Sequence, residues 1–494
     1  MLFRTILYTF GQAFLSVLLA ILAGMPAAFY VSKRNFPLKK ALISLSSVPL
    51  CVPSLIVALG FISTFGISGW VNRFLQLITK AENPPLTFLY SFAGIIFCQG
   101  FYNFPLVMKS VSDSWITLDS QEEDAARLLG AGELRIFFTI TFPKLLPALI
   151  SAVIPIFLYC FFSFTIVLLF GATGSTTLEV AVYHAARSRL DYKAAAFYAL
   201  TESVTALLFV FFLTKLEKKF TVNKNETFTS IQKTKKIEKK ELPLSCLYFF
   251  ILILCLVLPL FSIVLSSFTV KFAGSSFLSF KNWINLFATS EFRRALINTF
   301  STAFATSVFC TLVGTSYSIF IRLSDPYNKN TFLRIIPLSP MAVSSVATGF
   351  FLMLLFRRAS VFTLILAETL LTWPIAYRQV YAHAARISSS TLDAASLLSQ
   401  NVFQKIFYVI LPQCKNGILS SLCFCFALST ADSTLPLVLS IPSFDTLALY
   451  TYRLAAGYRF AQSCCCGSIL TLICIIFFFL SEIPKIKHKR GKSL

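Results

Sequence analysis

Charged residues are scarce in this chain. They make up 13% of its 494 residues, while 56% are hydrophobic. A soluble globular domain is about a quarter charged, so this composition excludes an ordinary water-soluble fold and predicts a polytopic membrane protein. In a soluble protein, the net charge of +22 would favour a nucleic-acid partner. Here the basic residues lie in short segments between apolar runs, so we interpret them as topology signals in a lipid bilayer and expect no nucleic-acid partner.

Residues that serve catalysis or metal binding are also few. The chain has three His residues, and its 13 Cys include no Cys-x-x-Cys pair. Most Cys residues lie inside apolar runs, where a thiol acts as a compact apolar side chain. The one Gly-Lys pair lies in the C-terminal tail, so the sequence has no phosphate-binding loop of the Walker A type. We therefore expect no metal site, no cofactor and no catalysis by this chain.

Long apolar runs dominate what remains. A helix needs about 20 apolar residues to cross a bilayer, and this criterion predicts about eleven spans, near residues 6–31, 41–66, 86–111, 145–171, 194–214, 244–270, 293–322, 331–357, 360–384, 413–440 and 460–481. Lys and Arg concentrate in 32–40, in 215–241 and in the C-terminal tail, three segments on the same side, which we predict to be cytoplasmic. The N-terminus is then outside, and we expect that one upstream helix is absent from this chain, naturally or through a misplaced start.

The two parts of the chain repeat each other. "DAARLLG" at 124–130 returns 269 residues later as "DAASLLS" at 393–399, and Gly24 lies opposite Gly314. This repeat predicts two parallel pseudo-repeats with a substrate path at their interface. The predicted divisions are a first half at 1–214 with about five spans, a basic cytoplasmic linker at 215–243, a second half at 244–484 with about six spans, and a basic cytoplasmic tail at 485–494.

Each half carries a polar loop with one layout, at 124–143 and at 393–412. An acid is followed by two Ala, three residues, Gly or Ser, nine residues and a short apolar step that ends in Pro. The acid suits a helix start, Gly suits a helix end, and Pro suits the first turn of the next helix. Two such copies on one side favour docking helices for a two-fold partner. The alternative is a pair of amphipathic helices on the lipid headgroups.

This layout resembles the EAA loop of ABC importer permeases, in which Glu-Ala-Ala precedes Gly and Ile-x-Leu-Pro at the same spacing. The stretch "SFAGIIFCQGFYNFPLV" at 91–107 is similar to the fused permeases of thiamine importers, and ferric-iron permeases are close relatives. The resemblance implies an all-α type I ABC importer permease fold and two separate ATP-binding subunits docked on the cytoplasmic side. The coupling residues that it implies are Asp124, Ala125, Ala126, Gly130, Asp393, Ala394, Ala395 and Ser399.

The resemblance also implies a function. It implies import of thiamine or its phosphate esters, delivered by an external or periplasmic binding protein, across the bacterial cytoplasmic (inner) membrane by alternating access. The chain itself would not be an enzyme, because ATP hydrolysis would reside in the partner subunits. Ferric-iron import is the alternative within this class. An ion-coupled secondary transporter with parallel repeats is an alternative from another class.

Polar and aromatic side chains inside the spans are candidates for the translocation path. Acids within membrane helices are costly and are usually functional, which selects Glu368 and Asp432. A cationic solute such as thiamine binds well to an acid combined with aromatic faces, and Trp373, Tyr377 and Phe164 could supply these faces. The alternative for each acid is an interhelical hydrogen bond or a position at the end of a span.

Overall fold

The structure is a computed structural model that describes residues 2–36, 39, 42–43, 52–118, 121–171, 176–221, 235–236, 241–272, 275–325, 333, 336–399 and 401–490. Its α-helices up to residue 221 are α1 Leu2–Lys33, α2 Ser54–Phe65, α3 Trp70–Thr79, α4 Phe92–Ile116, α5 Gln121–Leu128, α6 Glu133–Ile136, α7 Phe142–Phe161, α8 Thr165–Phe170, α9 Leu178–Tyr183 and α10 Tyr192–Thr221. The remaining helices are α11 Leu242–Phe268, α12 Lys281–Ala288, α13 Ser290–Ser324, α14 Ser345–Phe356, α15 Val361–Ala384, α16 Ser389–Leu398, α17 Val402–Lys405, α18 Leu411–Ala431, α19 Thr434–Leu439, α20 Leu447–Ala456 and α21 Phe460–Arg490.

The described strands are two to four residues long. Strands β1, Arg34–Asn35, and β2, Lys235–Lys236, pair in parallel. Strands β3, Thr269–Phe272, and β4, Ser275–Leu278, form an antiparallel hairpin. Helix packing therefore builds the core.

Eight helical segments in the described part of the chain are long and apolar enough to cross a membrane. They match eight of the eleven predicted spans, and they are Leu2–Lys33, Ser54–Thr79, Glu133–Phe161, Tyr192–Leu213, Leu242–Phe268, Ser290–Ser324, Val402–Ala431 and Phe460–Glu482. The other three predicted spans correspond to α4, α14 and α15. Helices α4 and α15, of 25 and 24 residues, are long enough to cross, but α14 has 12 residues.

Two predicted spans are interrupted in the structure. The span predicted at 145–171 ends as α7 at Phe161, and a separate helix α8 begins at Thr165. The span predicted at 413–440 ends as α18 at Ala431, and α19 begins at Thr434. The first break lies in a largely apolar run, Phe162-Ser163-Phe164, which hydropathy does not separate, whereas the second lies at two polar residues, Asp432 and Ser433. Part of the span predicted at 41–66 lies outside the described residues.

The first compact unit comprises Met1–Leu50, Val57–Ala181 and Leu200–Ser262. Helices α1, α4 and α7 pack against one another in this unit. The buried face of α1 contains small residues, which let two membrane helices approach closely. Gly24 marks a point of close approach, because a Cβ atom there would lie 2.7 Å from Cβ of Val107 in α4.

The second compact unit comprises Cys51–Ile56, Val182–Ala199 and Ile263–Leu494. Helices α13, α15 and α18 pack together here as α1, α4 and α7 do in the first unit. Gly314 of α13 is the counterpart of Gly24, since a Cβ atom there would lie 2.9 Å from Cβ of Ala376 in α15. Ala376 follows Val107 by the repeat distance of 269 residues. The predicted repeat therefore holds in these helix crossings, while the division of the chain at residue 214 stays a prediction.

A hydrogen bond that joins distant segments is also repeated. In the first unit, the backbone N–H of Leu178, the first residue of α9, donates to Oγ1 of Thr9 in α1 at 3.0 Å. In the second unit, the N–H of Leu447, the first residue of α20, donates to Oγ1 of Thr299 in α13 at 2.6 Å. We call these two bonds the threonine staples. Each supplies an acceptor for a backbone N–H that the first turn of a helix leaves unpaired.

Candidate functional site

The first loop, which we define as residues 121–143, is a helix, a turn and a second short helix that leads into α7. Helix α5 ends at Leu128, and Gly130 then adopts a φ of +82°. This left-handed backbone favours glycine because it lacks a Cβ atom. Helix α6 follows, and a π-helical turn at Phe137–Thr141 joins it to α7, which has Pro143 in its first turn. The predicted helix end at Gly130 and the predicted position of Pro143 in the first turn of the next helix are confirmed.

The second loop, residues 389–412, builds the same succession with different turn chemistry. Helix α16 ends at Leu398, and Ser399 is extended, with a φ of −89° and a ψ of 135°. Helix α17 and a π-helical turn at Ile406–Ile410 then lead into α18, with Pro412 in its first turn. Asn401 caps α17 by accepting a hydrogen bond from the N–H of Gln404 at 2.9 Å. A polar cap therefore replaces the glycine turn.

Ion pairs hold the exposed face of the first loop. The guanidinium of Arg127 contacts carboxylates of Asp124 and Glu133, each at 2.7 Å. The hydrogen bonds to Glu133, together with the negative charge of the neighbouring acids, raise the pKa of Arg127. Lys144 in α7 contacts Glu122 in α5 at 2.5 Å. These pairs fasten α5 to α6 and to α7.

A second set of polar contacts lies beneath this face. Glu123 is buried, and Oγ1 of Thr141 donates a hydrogen bond to its Oε1 at 2.8 Å. Nζ of Lys33, at the end of α1, contacts the other carboxylate oxygen at 3.0 Å. We call Lys33, Glu123 and Thr141 the polar anchor. It ties α5 to α1 and to the π-helical turn.

Exposed apolar side chains recur in both loops at the repeat distance of 269 residues. The exposed fractions are 62% or more, which is unusual for side chains of this size in a structured segment. We call the four in each loop the apolar quartet, Leu128, Leu129, Leu134 and Phe138 in the first loop and Leu397, Leu398, Phe403 and Phe407 in the second. Patches of this kind mark contact surfaces for other molecules.

The structure places the predicted coupling residues unequally. In the first loop, Asp124, Ala125 and Gly130 are exposed and Ala126 is half-buried. The predicted helix-start position of Asp124 is confirmed, because it lies in the first turn of α5.

Asp393 does not occupy the corresponding helix start. It is exposed in the middle of α16, and Ser388 caps that helix instead. Ala394 is exposed, Ala395 is buried and Ser399 is half-buried. The Ser388 cap was not predicted, because the search for a helix start was fixed on the acid of the repeated pattern.

The two acids predicted for the translocation path have different surroundings. Glu368 is buried in α15 and accepts hydrogen bonds from Thr306 of α13, at 2.8 Å, and from Ser429 of α18. Asp432 lies between α18 and α19 rather than inside a continuous span. Its Oδ1 accepts the N–H of Thr434 at 2.8 Å, so Asp432 caps α19. Both have the contacts of structural residues.

The aromatic candidates divide into two places. Trp373 and Tyr377 of α15 both contact the ring of Tyr317 in α13, with centroid distances of 5.6 and 5.5 Å. Phe164 is buried in the first unit, directly before α8. Thr306, which contacts Glu368, and Tyr317 are separated by roughly 16 Å along α13 at 1.5 Å per residue. The aromatic cluster is therefore distinct from the Glu368 cluster.

Several residues of the site were not predicted from the sequence. The polar anchor, the Arg127 ion pairs and the apolar quartets belong to this group. The signal that could have found the quartets is the repeat itself, since four bulky apolar residues recur at a shift of 269 in segments that also carry charged and amide side chains. Among the described residues, no group of three or more His, Cys, Asp or Glu side chains could hold a metal ion.

Comparison with known proteins places these features in a family. Residues 16–222 match the family described as "Binding-protein-dependent transport system inner membrane component". The chain is 24% identical to the thiamine transport system permease protein ThiP of Escherichia coli (strain K12), with 97% of this chain and 89% of that protein covered. It is 25% identical to ThiP of Haemophilus influenzae, with coverage of 96% and 87%.

A relative of another name is more similar over a shorter range. The putative 2-aminoethylphosphonate transport system permease protein PhnU of Salmonella typhi is 31% identical over 202 residues, which are 41% of this chain and 70% of that protein. These relatives are permease subunits of transport systems, which are not enzymes themselves. With its apolar helices, the chain belongs to the family of binding-protein-dependent transport system inner membrane components, as a fused multi-pass permease of the bacterial inner membrane.

Proposed function

We propose that this chain is the membrane permease of an ATP-driven importer for thiamine or its phosphate esters. The relatives named as thiamine permeases match nearly the whole chain, whereas the aminoethylphosphonate relative matches 41% of it. A match that includes both loops and the linker between the two halves supports a thiamine system more strongly than a match to one half. An external binding protein would deliver the solute.

The apolar quartets carry the second part of the proposal, which is that each loop docks on a separate ATP-binding subunit. In each loop, four bulky apolar side chains are exposed at equivalent positions, as expected for a surface that a partner protein covers. Lipid headgroups are a poorer partner for the first loop, because α5 begins with Glu122, Glu123 and Asp124 and cytoplasmic leaflets are anionic. Two equivalent loops fit two copies of one partner.

The loops are connected in a way that suits force transmission. In each unit, a π-helical turn continues without a break into the helix that follows, α7 or α18. Closure of an ATP-bound subunit pair would draw the two loops together and move these helices, and hydrolysis would reverse the movement. Repeated units of this kind operate by alternating access. The chain would therefore convert the movement of its partners into opening on alternate sides of the membrane.

Substitution in the apolar quartets tests the docking. We expect Leu128→Asp and Leu397→Asp each to reduce several-fold the amount of ATP-binding subunit that co-purifies with the chain, and the double variant to abolish it. Tyr458→Asp is the matched control, because Tyr458 is 98% exposed and is predicted to face the outside. Co-purification of the double variant at the level of the unaltered chain would exclude the docking role.

Reconstitution tests the substrate. The complex of this chain, its ATP-binding subunits and its binding protein would be placed in liposomes and supplied with thiamine, thiamine pyrophosphate or ferric iron. We expect a thiamine compound to stimulate ATP hydrolysis. Stimulation by ferric iron alone would favour the iron importer, and uphill transport without the ATP-binding subunits would favour an ion-coupled transporter.

A further inference from the structure

Each unit contains a cluster of polar side chains between its three packed helices. In the second unit, Glu368 of α15 accepts hydrogen bonds from Thr306 of α13 and Ser429 of α18. In the first unit, Oε1 of Gln99 in α4 accepts a hydrogen bond from Ser16 of α1 at 2.8 Å. These are the same positions of the repeat, because Gln99 precedes Glu368 by 269 residues and Ser16 precedes Thr306 by 290, the offset that also relates Gly24 to Gly314.

The first-unit cluster includes two more amide side chains. Nε2 of Gln12 donates to the carbonyl oxygen of Cys160 in α7 at 2.7 Å. Nδ2 of Asn103 donates to the carbonyl oxygen of Gln99 at 2.9 Å and lies 3.6 Å from Sγ of Cys160. We call Gln12 of α1 and Gln99 and Asn103 of α4 the amide triad. These side chains contact Ser16 of α1 and Cys160 of α7. The exposed fraction of each side chain in the triad is at most 2%.

The two clusters differ in how far their polar atoms are paired. In the second unit, the carboxylate of Glu368 accepts hydrogen bonds from both neighbouring hydroxyl groups, those of Thr306 and Ser429. In the amide triad, three buried atoms have no hydrogen-bond partner among the described residues, namely Oε1 of Gln12, Nε2 of Gln99 and Oδ1 of Asn103. Buried polar atoms are almost always hydrogen-bonded, because an unpaired one has lost its contact with water without compensation. The amide triad therefore requires a partner.

We propose that the amide triad binds one buried water molecule between α1, α4 and α7. The three unpaired atoms are two acceptors and one donor. A water molecule can donate to Gln12 and Asn103 and accept from Gln99, which satisfies all three atoms at once. Buried waters in proteins typically make about three hydrogen bonds to such groups. An ammonium group could not accept the N–H of Gln99, and a carboxylate could not donate to the two amide oxygens, so the atoms select water over either ion.

Radiolytic labelling in ¹⁸O water tests the proposal with the full chain in liposomes. Hydroxyl radicals formed from a bound water oxidise the nearest reactive side chain even where bulk solvent has no access. Cys160 is that side chain, and its exposed fraction is 0%. Cys310 and Cys425 are internal controls, since they are equally buried in the second unit. We expect several-fold more ¹⁸O incorporation at Cys160 than at either control, and equal incorporation would overturn the proposal.

A pair of variants distinguishes the bound water from general solvent leakage. Asn103→Leu removes one partner of the water, and we expect labelling of Cys160 to fall to the level of Cys310. Thr372→Val alters the equivalent position of the second unit, 269 residues later, and should leave Cys160 labelling unchanged. Labelling that persists in Asn103→Leu would contradict the proposal. If that variant does not fold, the comparison of Cys160 with Cys310 in the unaltered chain still decides.

Discussion

The first and second loops share the same succession of helices and turns, but polar contacts hold the first loop and apolar packing holds the second. In the first loop, the polar anchor joins Glu123 to Thr141 and Lys33. A shift of 269 residues converts Glu123 to Leu392 and Thr141 to Ile410, and both are buried in an apolar cluster that Leu323 packs against. Leu323 follows Lys33 by 290 residues. Three polar residues in one unit are thus three apolar residues in the other.

This position therefore needs close contact between the loop and its neighbouring helices, and either an ion pair or apolar packing can supply it. A buried ion pair loses hydration that its Coulomb attraction only partly restores, so a well-packed apolar replacement is often equally stable. Removing one partner of the pair is different, because it leaves a charge without compensation. Three polar residues or three apolar residues can therefore each hold a loop in place. A combination of the two, with a buried charge among apolar side chains, cannot.

Introducing one charge into the apolar set should have the largest effect. Leu392→Glu places a carboxylate in the apolar cluster with no lysine, because position 323 is Leu. We expect the free energy of unfolding to fall by at least about 3 kcal/mol. A thiol-reactive dye can follow thermal unfolding, since the described Cys residues are mostly buried.

Adding Leu323→Lys to Leu392→Glu should recover part of that loss by rebuilding the pair. Asp393→Glu, next to the altered position but exposed, is the control for an added methylene in α16. An unchanged unfolding temperature for Leu392→Glu would show that the cluster is not sealed from water.

Removing the acid from the polar anchor should have a smaller effect. Glu123→Ala leaves the ammonium group of Lys33 without its carboxylate. The Lys33 side chain is 20% exposed, so water partly compensates for the lost contact. We expect a loss of about 2 kcal/mol, below the roughly 3–5 kcal/mol that follows when a fully buried pair is broken. The same dye assay measures it.

The triple variant Lys33→Leu, Glu123→Leu and Thr141→Ile gives the first loop the residues of the second. We expect its free energy of unfolding to lie within about 1 kcal/mol of that of the unaltered chain. If the triple variant were less stable than Glu123→Ala, the two sets would not be interchangeable and the comparison would fail.

Among the single substitutions, those at the turn residues should have the smallest effect. Gly130 has a φ of +82°, and a Cβ atom added there would have no other atom within 4 Å. Gly130→Ala therefore introduces backbone strain without a clash and should cost about 1 kcal/mol. Ser399→Ala is the matched change at a φ of −89°, and we expect less than about 0.5 kcal/mol there. Hydrogen exchange of the amides in α5 and α16 measures both, and equal effects would mean that the turns do not differ in strain.

Much of the fold could be predicted because its signals are local. Apolar runs located eight spans that the structure contains, and the repeat located both loops, the turn at Gly130 and the proline positions. The break after Phe161 was not predicted, because it lies in a largely apolar run. The break after Ala431 was not predicted either, although the polar residues Asp432 and Ser433 mark it in the sequence.

The site was less predictable, because its contacts join residues far apart in the chain. Lys33 and Glu123 are separated by 90 residues and Gln12 and Cys160 by 148, and no periodicity reveals such pairs. An acid within an apolar run is a strong signal and marks Glu368, whereas Gln99, its uncharged counterpart, gives no such signal. Aligning the two repeats position by position would have connected them.

The threonine staples have a mechanical consequence. Each hydroxyl oxygen serves as the acceptor for the leading amide of a short helix on a different part of the chain. If that short helix swung away from α1 or α13, its first N–H would be stranded in a region with little water to replace the lost partner. In each unit, a small displacement of the short helix should therefore carry the long helix with it, so that the two move as one rigid piece.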